Sequence, residues 1–153
     1  MDDGGIVKQC RIENEALRHT RNALLAIIDW PIEGTTYSRK LSGLRFQQRW
    51  FQQQVERVFA IEEHDGYMNL VLDLEPKYSQ QVKQLQSEHV SLRNRLTQIS
   101  TRLDRMQPDD LTTFNAICEE LRSVIQSLDD HIEREKEILQ LAFNQDVGGE
   151  GGS

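Results

Sequence analysis

VKQLQSEHVSLRNRLTQISTRL, from Val82 to Leu103, sets apolar side chains at Val82, Leu85, Leu92, Leu96, Ile99 and Leu103. With His89 counted among them, every gap is three or four residues. That spacing puts the whole set on one stripe of an α-helix. A strand would need alternation by two, which the stretch lacks. The same rule applied outward predicts a chain of helices. The next stripe is Phe114, Ile117, Leu121, Val124, Leu128, His131, Glu135, Ile138 and Ala142, on a helix from about Asp109, a plausible N-cap, to Phe143. Upstream, Val58, Ile61, Asp65, Met68 and Leu72 mark a helix that covers Trp50 to Leu74 and starts as early as Arg39. A first helix over about Ile12 to Asp29 carries Ile12, Ala16, His19, Ala23 and Ile27 on one face.

Pro31, Pro76 and Pro108 punctuate these segments, and no β-branched run bounded by turn residues suggests a strand. Four amphipathic helices with short connections predict an all-α, up-down-up-down four-helix bundle. The expected organisation is an N-terminal arm over 1–10, a helical domain over 11–143 and a disordered Gly-rich tail over 144–153. Residues 38–48 (SRKLSGLRFQQ) are awkward in this scheme. They make helix two about ten residues longer than helix one can match, so they overhang or form a short helix of their own.

The net charge of −7 argues against nucleic acid and anionic membrane as partners, which select for basic surfaces. No apolar run approaches the roughly 20 residues needed to cross a bilayer. The acidic start, MDDGGIVKQC, has no apolar core of a signal peptide. Cys10 and Cys118 are far apart in sequence, and Cys118 falls in an apolar helical stretch. A reducing cytoplasm is the expected compartment.

Each expected helix carries one histidine: His19, His64, His89 and His131. Three lie on the inward stripe, and His64 lies at its edge. His64 precedes Glu75 and His89 follows Tyr78 by about 11 residues each, which puts both roughly 16 Å from the connecting turn. Buried imidazoles need hydrogen-bond partners or a metal. Four at one depth, with Glu135 one turn beyond His131, favour a metal site over four separately satisfied core histidines. Imidazole with carboxylate suits iron, manganese or zinc, and no cysteine pair at ligand spacing points to a thiolate zinc site.

The segments ALRHTRNALL, EEHDGYMNLVLDLEP, SEHVSLRNRL and DDHIEREKEIL resemble the hemerythrin-like family, also called HHE cation-binding domains, over about residues 11 to 143. The resemblance implies a four-helix bundle around a non-haem di-iron centre, with roles in oxygen, iron or redox binding and sensing. It implies His19, His64, His89, His131 and Glu135 as metal ligands. One departure matters: Met68 stands where the family's helix two usually carries a bridging glutamate. A second histidine of helix three is also absent, with Leu85 and Arg93 at the neighbouring turns. Two cations close together repel, and bridging anions offset that repulsion. Asp65, on the stripe before Met68, is the candidate substitute. Without one, a single iron or none is expected. Ile61, Met68 and Leu85 would line the site. Glu62 and Glu63 are expected at the surface or behind the ligands.

The resemblance implies dioxygen, another small diatomic or a peroxide as the bound partner, and the sequence names no protein partner. Two other functions stay open. One is a di-iron oxidase or peroxide-handling enzyme. The other is a degenerate, metal-free bundle used for protein contacts. Haem held by histidine and methionine is disfavoured, because no C-x-x-C-H motif occurs.

Overall fold

The computed structural model describes residues 3–31, 36–64, 67–74, 76–107 and 109–151. At Asp3, Gly4, Ile6, Val7, Thr36, His64, Tyr67, Leu70 and Leu74, and beyond Ala142, only the backbone is described. Among these residues there are five α-helices and no strand: α1 (Asp3–Ile28), α2 (Thr36–His64), α3 (Tyr67–Leu74), α4 (Ser79–Asp104) and α5 (Leu111–Gly151). A 3-10 turn over Pro76–Tyr78 leads into α4. No described helix is long and apolar enough to cross a membrane.

Helix α4 buries the stripe read from the sequence, Val82, Leu85, His89, Leu92, Leu96, Ile99 and Leu103. Helix α1 does not bury its expected stripe. Its inward residues are Cys10, Leu17, Leu24 and Ile28, whereas Ile12 is 57 % exposed and His19 and Ala23 face solvent. Alanine fills little of a face, so both sides of this helix read as equally apolar. Burial of the two full leucines decides the rotation, since each buried leucine contributes about 2 kcal/mol.

Residues 38–48 are the front of α2, continuous from Thr36. The expected length mismatch disappears because α1 starts at Asp3, inside the segment anticipated as an arm. The expected single second helix is two, α2 and α3, with residues 65 and 66 outside the described residues. Helix α5 continues to Gly151, beyond the end expected near Phe143. Its cap is Asp110 rather than Asp109: the Asp110 carboxylate accepts from the Thr113 backbone N–H at 3.1 Å.

Helix α2 also caps its neighbours. The buried Lys40 ammonium donates to the Ile28 carbonyl (2.6 Å) and the Trp30 carbonyl (2.7 Å) at the end of α1. Arg45 donates to the Leu103 (2.7 Å) and Met106 (3.2 Å) carbonyls at the end of α4. Cations placed there satisfy carbonyls that the helix leaves orphaned and complement its dipole.

The core is split in two. The larger apolar cluster contains Leu17, Leu24, Phe51, Phe59, Leu92, Leu96, Leu121 and Leu128. The smaller contains Cys10, Ile61, Met68, Val82, Leu85 and Ala142. On α4, Leu85 and Leu92 belong to different clusters with His89 between them. On α5, Leu128 and the half-buried Ile138 do likewise, with His131 and Glu135 between. A polar layer therefore crosses the bundle.

Candidate metal centre

That layer contains Glu62 from α2, His89 from α4, and His131 and Glu135 from α5, each no more than 5 % exposed. The arrangement follows from helical spacing. Glu62 continues the buried α2 series Phe51, Val55 and Phe59 by steps of three and four, and His131 and Glu135 are one turn apart. Phe59 stacks on the His89 ring with centroids 3.8 Å apart and meets His131 edge-on at 5.8 Å, so one aromatic ring floors both imidazoles.

Each histidine is held from behind by a carboxylate. His89 Nδ1 lies 2.7 Å from Glu63 Oε2, and Glu63 in turn accepts two 2.8 Å bonds from Arg93. His131 Nδ1 lies 2.7 Å from Glu88 Oε1, which also accepts from Arg134 at 2.5 Å. Burial pushes both carboxyls up, but the hydrogen bonds from Arg93 and His89 to Glu63, and from His131, Gln84 and Arg134 to Glu88, outweigh it. Both end below the ordinary range. As carboxylates they can only accept, so each Nδ1 carries the hydrogen. Carboxylate-backed imidazoles of this kind are common around bound metals.

The inward nitrogens are then lone pairs unless a second proton is added. His89 Nε2 lies 2.9 Å from Glu62 Oε2, and His131 Nε2 lies 2.9 Å from Glu135 Oε1. Neither contact has hydrogen-bond geometry. Both Nε2 atoms, Glu62 Oε2 and Glu135 Oε2 are buried with no hydrogen-bond partner. Burial, the contact with Glu135 and its charge push the Glu62 carboxyl well above its usual range, against the pull of His89. Burial pushes Glu135 up to about 7. Such a layer is costly with nothing between the donors, because unpaired buried acceptors lose their hydration without return. One ligand atom from each of the four lies within 4.8 Å of those from the others. A cation among them would turn every lone pair into a bond.

The family profile of the hemerythrin HHE cation-binding domain matches residues 6–142. The chain belongs to the hemerythrin HHE cation-binding family. Neither the curated proteins nor the solved structures contain a match to it. The buried layer of imidazoles and carboxylates offers donor types that can hold a cation.

Within this hemerythrin domain, the structure brings together His89, His131 and Glu135 from the expected ligand set. It does not bring in His19, whose side chain is 74 % exposed and sits 3.6 Å from Glu15 on the same helix. Once Leu17 points inward, a residue two positions later points away, so this expectation is corrected by the rotation of α1. The side chain of His64, and all of Asp65, lie outside the described residues. Met68, Leu85 and Ile61 pack in the smaller apolar cluster beside the layer.

Glu62 is the fourth candidate donor, where the sequence suggests a place at the surface or behind the ligands. Its signal was present in the series Val55, Phe59 and Glu62, but the adjacent ridge through Ile61 and Asp65 was followed instead. Glu63 and Glu88 had no periodic signal, because each sits one position off the stripe. Only packing aims them at the histidines.

Proposed function

We propose that this domain binds a single non-haem iron ion through Glu62, His89, His131 and Glu135, and uses it to bind or sense a small molecule such as dioxygen. The supporting observation is the set of buried donor atoms that face one another without hydrogen-bond partners. Two imidazole nitrogens with two carboxylate oxygens suit iron, manganese or zinc, and the absence of thiolate from the set disfavours softer ions. One ion is the reading because the four described donors lie close enough for a single centre. A carriage or sensing role suits the enclosure: the imidazoles are 0 % exposed and Phe59 closes one side, which admits only a small ligand. Cys118, a buried thiol that burial pushes up, suits a reducing cytoplasm.

The test is metal analysis of protein loaded with ferrous iron without oxygen, for the original chain and for Glu62→Gln and His89→Ala. We expect one iron per chain, most of it lost in either variant, and a reversible optical change when oxygen is admitted. Iron content that is nil, or that survives both substitutions, would refute the site. Two irons per chain would bring His64 and Asp65 into it. Retained iron with no response to oxygen would remove the sensing role and leave the metal site intact.

A further inference from the structure

Helices α1 and α5 stand apart along part of their length and leave a groove of about 600 Å³, within the range of small-molecule sites. None of the four metal donors lines it. Its floor is apolar: Cys10, Leu17, Leu128, Ile132 and Leu139. The two helices run antiparallel here, since Cys10 packs in the cluster of Ala142 while Leu17 packs in that of Leu128. One end is closed by Arg21, which donates to both carboxylate oxygens of Asp129 at 2.8 and 2.5 Å. Towards the other end lie Arg11, ten residues or about 15 Å along α1 from that ion pair, and Lys136, seven residues or about 10 Å along α5 from it.

The charges in the walls are unevenly satisfied. Arg21 is paired with Asp129, and Arg18 with Glu15. Arg11 and Lys136 have no carboxylate partner among the described residues, and the one unpaired acid of the groove is Glu133. The lining holds four cations and three acids, a net of +1 in a chain of net charge −7, so the groove is basic relative to the molecule as a whole. We propose that the groove binds a medium-chain monocarboxylate. The carboxylate head is held by Arg11 and Lys136, and the chain lies over Leu17, Leu128 and Ile132. Guanidinium and ammonium donors match a carboxylate, and the floor supplies the burial that holds the chain.

The test compares decanoate with decyltrimethylammonium, each below its micelle concentration, by titration calorimetry. Their chains are alike and their heads opposite in charge. The acidic protein as a whole favours the cation, so a preference for the acid has to come from the groove. We expect one decanoate per chain, bound about tenfold or more tighter than the ammonium. Arg11 and Lys136 are exposed, so the double variant R11E/K136E should fold and keep its metal content. It should lose decanoate binding and take up the ammonium instead. A filled groove, Ile132→Trp, should weaken both. The proposal is overturned if the ammonium binds as well as the acid, if charge reversal leaves decanoate binding unchanged, or if neither amphiphile binds. Each of those results leaves the metal content of the protein, and so the iron site, unaffected.

Discussion

Glu135 shows what one residue does to this protein. Its carboxyl is pushed up to about 7 from an ordinary 4.5, chiefly by burial. A folded-state value above the unfolded one means that the folded protein holds the extra proton. Between those values stability falls as pH rises, because deprotonation in place costs more than in the unfolded chain. The metal-free protein should therefore lose thermal stability as pH increases from about 5 to about 8, with Glu62 acting in the same direction. Metal binding runs the other way, since the donors must shed protons to ligate. The gain in melting temperature on adding iron should widen over that window, as scanning calorimetry with and without metal would show. A stabilisation by iron that is constant with pH would contradict the assigned donors. Glu62→Gln should make the metal-free protein more stable at pH 8 and less able to hold iron. His19→Ala should leave metal content unchanged, because that side chain faces solvent.

At the scale of the helices, ends and faces decide the cost of a change. Lys40 donates to two carbonyls at the end of α1 from a buried position. Lys40→Met keeps the apolar stem and removes both bonds, so it should cost about 2–3 kcal/mol in urea unfolding. Asp110→Ala removes the cap of α5 and should cost about 1 kcal/mol, whereas Asp109→Ala should cost much less. Met68 tests which ridge of the chain faces the polar layer. It packs with Ile61, Val71 and Leu85 in the smaller apolar cluster and is 3 % exposed. Met68→Glu should destabilise the protein by several kcal/mol. Iron should not rescue it, because Glu62 and Glu135 already supply the carboxylates. A rescue by iron would return position 68 to the bridging place that the family resemblance implies.

For the whole molecule, the polar layer couples three helices. Glu62, His89, His131 and Glu135 come from α2, α4 and α5, so an ion held among them ties these helices together. Chelation should lower the thermal midpoint. His89→Ala and His131→Ala should each remove most of the metal, and the double variant should be little worse, since the residues act as one centre. Additive losses in a metal titration would mean separate sites. Helix α1 supplies none of the four donors, so substitutions on its outer face should leave metal binding alone.

The sequence by itself determined the all-helical class of fold and made much of the candidate site legible. In α4 every apolar residue of the stripe is large, and only one rotation of the helix buries them all, so His89 had to point inward. The same holds for α5, where Leu121, Val124 and Leu128 lead directly to His131 and Glu135. Helix α1 was not legible in this way, because its alanines left two faces of similar apolarity and the choice depended on packing against its neighbours. Helix α2 offered two adjacent ridges, one through Ile61 and Asp65 and one through Phe59 and Glu62. Only the tertiary structure chose the second, by setting Phe59 flat against the His89 ring. Glu63 and Glu88 are orienting partners solely because other helices bring the histidines to them. Periodicity reports which way a side chain points from its own helix. What it meets there is decided by the packing of helices distant in sequence.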